Sequence, residues 1–170
     1  TGITGSGKTT SLAAIVNRLN LDGGYRVITV EEPIEYVYPI QPDSVVTQRE
    51  VGVDVASFYD GLKYGLRQDP DVVLVGEIRD RETAQMAISA AETGHLIFTT
   101  MHTKDAKGAI TRLVDLFPQE SQDDIRTQLS LSLRVVVAQG LLPSAVEGEK
   151  RALALEILMV TDPVRAAIRF

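Results

Sequence analysis

Short runs of consecutive apolar residues alternate along this chain with longer stretches in which apolar side chains recur every three to four positions. The first rhythm predicts strands buried on both faces, the second helices with one buried face. Leu12, Ile15, Val16 and Leu19 in SLAAIVNRLN predict a helix, which Asp22-Gly23-Gly24 ends. YRVITVEE (25–32) then reads as a buried strand, PIEYVYPIQPD with its three prolines as an irregular, partly stiff loop, and SVVTQREV (44–51) as a short strand. From Asp54, taken as an N-cap, Phe58, Leu62 and Leu66 share a helical face. Asp69-Pro70-Asp71 breaks that helix before the strand VVLVGE. Asp80 is the expected cap of a helix with Ala84, Ala87, Ile88 and Ala91 on one side and Gly94 at its C-terminal end. HLIFTTMHT (95–103) reads as a further buried strand with a polar exit. Helices over roughly 105–116 and 119–134, a segment near VVVAQGLLP, a strand around 152–160 and a helix after Asp162-Pro163 complete the chain. Alternation of this kind predicts an α/β domain, a mostly parallel central sheet flanked by helices.

Composition narrows the function classes. With 170 residues and 44% hydrophobic content, one sizeable core and one domain over 1–170 are expected. A net charge of −6 argues against a broad nucleic-acid face. Without cysteine there are no disulfides, thiolate metal sites or cysteine nucleophiles. No run approaches the ~20 apolar residues of a membrane span. The sequence opens on Thr1 rather than Met, and no strand precedes its first motif, so it reads as a segment of a longer protein.

That motif is Gly2-Ile3-Thr4-Gly5-Ser6-Gly7-Lys8-Thr9, which fits GxxxxGK[ST]. Backbone N–H groups must wrap phosphate oxygens, and glycines permit the tight curl. The helix opening near Lys8 turns its amides and positive end toward the same phosphates. Lys8 would reach the β- and γ-phosphates of a nucleotide, and the Thr9 hydroxyl would ligate Mg²⁺. Thr4, Gly5, Ser6, Gly7 and Thr10 are assigned to the same site.

In many ATPases of this design the strand after the loop ends in Asp-Glu, the Asp helping to hold the metal. Here VVLVGEIRD places Gly76 before Glu77. Three acids, Glu31, Glu32 and Glu35, cluster instead at the exit of the preceding strand, either as a solvated strand end or as the missing acid's source. Strand ends of an open α/β sheet are where ligands bind, which favours the second reading.

The loop, VEEPIEY, VVLVGEIRD and TGHLIFTTMHT, in this order, resemble the secretion ATPases of type II secretion and type IV pili, over essentially the whole chain. The resemblance implies a RecA-like P-loop domain that hydrolyses ATP with Mg²⁺. VEEPIEY matches that family's Asp box, with Glu35 at its most critical acid and Glu32 in place of the more usual Asp. Glu77 matches the glutamate that polarises the attacking water, unless it only caps the helix entry. His95 and His102 match the paired His-box residues, His102 as a γ-phosphate sensor and His95 either structural or nucleotide-binding. Arg79 either reaches a site carboxylate or pairs with Asp80 or Glu82, and Arg49 has no assigned role. With no four-cysteine zinc module, and with ALEILMVTDPVRAAIR near the end, the layout is closest to the retraction (PilT-like) branch. FTTMHT and QGLLP depart from that branch's usual FGTLHT and from an Arg before the Leu.

That branch implies a homo-hexamer at the cytoplasmic face of the inner membrane, peripheral rather than inserted, acting on a pilus platform protein, with an N-terminal PAS-like domain lying outside this chain. The alternatives are a secretion or pilus-assembly ATPase of the same family, or a nucleotide-binding regulatory subunit with little turnover. A DNA translocase is disfavoured, because the acidic chain lacks aromatic–basic interleaving, and no nucleic-acid partner is expected.

Overall fold

The valine-rich runs form strands because both faces of the sheet they build are covered. The computed structural model describes residues 1–146, 148 and 150–170. The chain divides into two compact units, one comprising Thr9–Thr100 and the other Thr1–Lys8 with Met101–Phe170.

In the Thr9–Thr100 unit, β1 (Arg26–Glu31), β2 (Val45–Glu50), β3 (Val72–Val75) and β4 (Leu96–Thr99) make one sheet of order β2-β1-β3-β4. All its pairings are parallel, Val30 opposite Val75 and Val75 opposite Thr99. Alternate residues of β1 serve opposite layers. Val27, with Val72 and Leu74 of β3, packs against Val16 of α1 (Lys8–Asp22), and Leu12, Leu19, Tyr38, Val46 and Phe98 close around them. On the other side lies α2 (Phe58–Gly65), whose Gly61 and Gly65 sit directly over Val30 and Ile28. The spacing of four puts both glycines on one face, so helix and strand approach more closely than side chains would permit. Helix α3 (Arg81–Glu92) packs against α2 and β4.

Most expected elements form, with shifted ends. Asp80 caps α3 by accepting from the Thr83 amide at 2.8 Å, and Gly94 follows the helix at φ +104°. Asp54 is not the cap of α2. Its carboxylate accepts from the Glu50 amide at 2.8 Å, closing the turn after β2, and Ser57 caps the helix by accepting from the Asp60 amide. Ile15 is 42% exposed, so the buried stripe of α1 is narrower than its sequence suggests. Instead of a buried strand, β4 is a half-buried edge, its Leu96 exposed, because among the described residues no strand pairs with its outer side.

The other unit holds α4 (Ala106–Val114), a 3-10 turn at Gln119–Ser121, α5 (Gln122–Ser132) and α6 (Asp162–Arg169). Val114, Phe117, Ile125, Leu129 and Ile168 are buried here. The helix expected over 119–134 is thus a 3-10 turn followed by α5. Strands β5 (Val135–Pro143) and β6 (Arg151–Met159) pair antiparallel, Val135 opposite Met159 and Pro143 opposite Arg151, as a sheet separate from the parallel one. The Thr1 amino group donates to the Val137 carbonyl and the Gln139 amide to the Thr1 carbonyl, which sets Thr1 alongside β5 in a parallel bridge.

Candidate functional site

The loop Thr1–Lys8 is held in shape by β5. Gly2 is pressed so closely on the Gln139 carbonyl oxygen and Ser6 Oγ that a Cβ there would collide with both. Gly5 and Gly7 have φ of +77° and +86°, a region L side chains rarely adopt. From β5, the Gln139 side-chain amide donates to the Ser6 carbonyl at 2.8 Å. Across the loop, Lys8 Nζ donates to the Gly2 and Ile3 carbonyls at 2.8 and 3.2 Å. Ser6 Oγ is buried without a hydrogen-bond partner among the described residues. The result is a curled, anchored loop whose last residue opens α1, with Thr9 and Thr10 following in the first turn.

His102 stands on the same unit in a bracketed position. Thr1 Oγ1 lies 2.8 Å from the Met101 carbonyl, which accepts its proton, and itself accepts from the Thr103 amide at 3.1 Å. The first residue of the loop therefore grips the chain on both sides of His102.

In the other unit, the C-terminal ends of the parallel strands gather the acids. Glu31, the last residue of β1, is turned inward at 6% exposure, and its Oε1 accepts from Thr29 Oγ1 at 2.5 Å and from the Gln48 amide at 3.1 Å. Beyond β3, Glu77 is largely covered. Its Oε2 accepts from Arg79 Nε at 2.8 Å, and a second guanidinium nitrogen of Arg79 stands 2.8 Å from it. The same guanidinium reaches Glu32 Oε2 at 3.0 Å. Arg79 thus joins the two strand exits, and of the pairings open to it in the sequence it takes the site carboxylates. These bonds, that to Glu77 foremost, hold its guanidinium still further above its ordinary pKa. Thr100, beyond β4, donates to the Gly76 carbonyl at 2.7 Å.

Gly76 itself explains the unusual motif. A Cβ there would stand 3.1 Å from the Val30 carbonyl oxygen and 3.3 Å from the Phe58 ring. The room an aspartate needs is already filled.

Glu35 and His95 make none of these bonds. Glu35 is exposed in the loop after β1, and among the described residues no three acidic or histidine side chains gather as a metal cage. His95 precedes β4, at the end of the sheet opposite to Glu77, about 13 Å along a four-residue strand. Its Nδ1 lies 3.1 Å from the Ala90 carbonyl and 3.3 Å from Thr93 Oγ1, against the last turn of α3. This placement favours the structural role for His95. Sequence reasoning missed Gln48, Glu50 and Gln139, whose side chains bind backbone of the two candidate loops. A polar side chain on a strand carries no signal of which distant carbonyl it serves.

The family model described as Type II/IV secretion system protein matches residues 1–166. The chain belongs to this family. Among Type II/IV secretion system relatives, the Type IV pilus retractation ATPase PilT of Pseudomonas aeruginosa is 46% identical over 169 residues, covering 99% of this chain and 48% of that protein. A crystal structure of the pilus retraction motor PilT with bound ADP superposes at a TM-score of 0.94 with 48% identity, over 99% of this chain and 48% of that one. The Legionella pneumophila ATPase DotB does so at 0.91 with 36% identity, over 98% and 46%. The chain spans about half the length of the curated relatives it matches.

Proposed function

We propose that this chain is the RecA-like, ATP-hydrolysing motor domain of a type IV pilus retraction ATPase. The observation that carries the reading is the loop Thr1–Lys8, curled by glycines at positive φ and opening α1 under Lys8. Thr4 to Lys8, with Thr9 and Thr10, take the phosphates of ATP through backbone amides and the helix N-terminus. Lys8 moves its ammonium from the loop carbonyls to the β- and γ-phosphates. Glu77 aligns the attacking water, its carboxylate oriented by Arg79, and His102 senses the γ-phosphate. Little covalent chemistry falls to the protein in such a transfer, so positioning and charge stabilisation supply the rate.

The donor set suits Mg²⁺. That ion keeps several waters and takes one or two carboxylates besides phosphate oxygens, so it requires no three-acid cage. The Thr9 hydroxyl and the Glu35 carboxylate would hold it, with Glu31 and Glu32, committed to Gln48 and Arg79, shaping the surroundings. When bound, it neutralises charge on the transferring phosphoryl group.

The match to PilT over 99% of this chain, where a 54% identical Type II secretion system protein E matches over 68% of it, supports retraction over secretion. The whole protein would work as a homo-hexamer at the cytoplasmic face of the inner membrane, pulling on a pilus platform protein. Among the described residues, no helix is long and apolar enough to cross a membrane.

Phosphate release from ATP by the full-length protein, wild type against Glu77→Gln, tests the reading, with nucleotide binding measured in both. Retained binding with turnover lowered by orders of magnitude supports it. If both proteins bind ATP and neither hydrolyses it, the chain belongs to a nucleotide-gated assembly subunit and the motor lies elsewhere.

A further inference from the structure

The loop after β1 has no regular secondary structure, yet it is fastened at Ile34, Tyr36, Tyr38 and Pro39. The Ile34 amide donates to Glu50 Oε2 at 2.9 Å. Gln48 uses both ends of its amide, its Nε2 donating to the Tyr36 carbonyl at 2.8 Å and its Oε1 accepting from the Tyr38 amide at 3.3 Å. The same Nε2 also donates to buried Glu31, so Gln48 is fixed from the strand side before it holds the loop. On the helix side, the Tyr36 hydroxyl lies 3.0 Å from Thr10 Oγ1, and the Pro39 carbonyl accepts from Asn20 at 2.8 Å. Glu35 sits between two residues pinned from β2, and Tyr36 ties the loop to the residue after Thr9.

We infer that Gln48, together with the Tyr36 hydroxyl, is a positioning device that sets Glu35 against Thr9 for the metal-bound step of ATP hydrolysis. The inference rests on the reading above, in which Thr9 and Glu35 hold Mg²⁺. A donor on an irregular loop has no strand to fix it, and the residues that orient a ligand carry much of its affinity. Gln48 supplies that fixing because a glutamine amide donates and accepts at once, and so clamps both a carbonyl and an N–H of the loop. A purely structural role would cost stability alone. A positioning role shifts the dependence of the reaction on metal.

The test uses the full-length protein with Gln48→Leu, Tyr36→Phe and Glu35→Gln. Turnover at saturating ATP is measured against Mg²⁺ concentration, alongside binding of a fluorescent ATP analogue in EDTA and the melting temperature. Gln48→Leu should raise the half-saturating Mg²⁺ about tenfold, with metal-free nucleotide affinity unchanged and much of the turnover recovered at high metal. Tyr36→Phe, which removes one exposed oxygen and leaves the core intact, should raise it about threefold. It decides the matter should Gln48→Leu fail to fold. If Glu35→Gln shifts the metal dependence and neither positioning variant does, the inference falls and the metal reading stands. If Gln48→Leu lowers turnover equally at every Mg²⁺ concentration, Gln48 is only structural and the inference falls. If Glu35→Gln itself leaves the Mg²⁺ dependence unchanged, the metal reading falls and the inference with it.

Discussion

Restoring the missing aspartate by Gly76→Asp should damage the protein rather than improve its metal site. Gly76 has no positive φ, so its backbone would accept any side chain. The obstacle is space. The new Cβ would meet the Val30 carbonyl oxygen at 3.1 Å, the Phe58 ring at 3.3 Å and the Glu31 Cα at 3.5 Å. The Val30 carbonyl already accepts from the Gly76 amide at 2.8 Å and cannot retreat without loosening β1 from β3. Phe58 is nearly buried at the start of α2. Making room by a few tenths of an ångström is overpacking, worth roughly 1–3 kcal/mol. The carboxylate adds the desolvation of a polar group facing a carbonyl and a ring, roughly 1–3 kcal/mol more. Gly76→Ala should therefore lose about 1–3 kcal/mol and Gly76→Asp about 2–6, against a typical domain stability of about 5–15 kcal/mol.

Urea denaturation of wild type, Gly76→Ala and Gly76→Asp reads these losses, and Gly76→Ala in a Phe58→Leu background separates the ring's share. Removing the ring should recover part of the loss and leave the share due to the Val30 carbonyl, a coupling that a double-mutant cycle isolates. Gly76→Asp should also leave the Mg²⁺ requirement of hydrolysis no lower than in wild type. Packing does not exclude an aspartate here if Gly76→Asp is as stable as wild type, or if it hydrolyses ATP at lower Mg²⁺.

Gly61→Ala sets two effects in opposition: helix propensity favours alanine by up to ~1 kcal/mol, but the new Cβ would fall 2.6 and 2.9 Å from the Val30 methyls. Overpacking, at about 1–3 kcal/mol, should win, so thermal or urea melts should show a net loss that disappears when Val30→Ala is added. Tyr38, packed against α1 and the sheet, has its phenol pushed up to about 12, first by burial and then by the charge of Glu31. In the unfolded chain it ionises near ~10, so its stabilising contribution is complete below that pH and disappears as the pH rises toward the folded value. Tyrosinate absorbance should therefore show one of the five tyrosines ionising last, a step absent in Tyr38→Phe and moved only part of the way down in Glu31→Gln. Ionisation of all five in a single step at the ordinary tyrosine pKa would contradict that burial.

How far the sequence could be read depended on whether the deciding contact was local. Runs such as VVLV and VITV announce doubly covered strands because both their faces are apolar, and Asp80 announces α3 because its cap bond closes within three residues. Asp54 misled because an equally local partner, the Glu50 amide, took its carboxylate first. The exposure of β4 and the separate β5–β6 hairpin depend on which strands lie alongside, which no short window contains. Among the candidate site residues, the loop Thr1–Lys8 and Glu77 stand in short motifs that a local window contains. The bridge from Arg79 to Glu32 spans 47 positions, and the hold of Gln48 on Tyr36 pairs a strand with an irregular loop. Such pairings exist only after β1 has found β2 and β3.

If the VEEPIEY acids serve the metal as proposed, they and the glycine in VVLVGEIRD describe a single structural exchange. An acid at Gly76 would project from the strand end against α2, but in this sheet that space belongs to Phe58 and to the Val30 carbonyl. In the proposed reading the carboxylates come instead from the neighbouring strand, β1, about 4.8 Å away, and from the loop beyond it. Moving an acid from a strand end to a loop removes the backbone ladder that would have fixed it. The side chains of β2 make up that loss: Gln48 and Glu50 stand one strand further out and bond to the loop at Ile34, Tyr36 and Tyr38. Packing at Gly76 and the bonds from Gln48 are therefore two halves of one arrangement. Filling the glycine would press on β1, from which the acid-bearing loop starts, and cutting the glutamine would release the loop that carries Glu35.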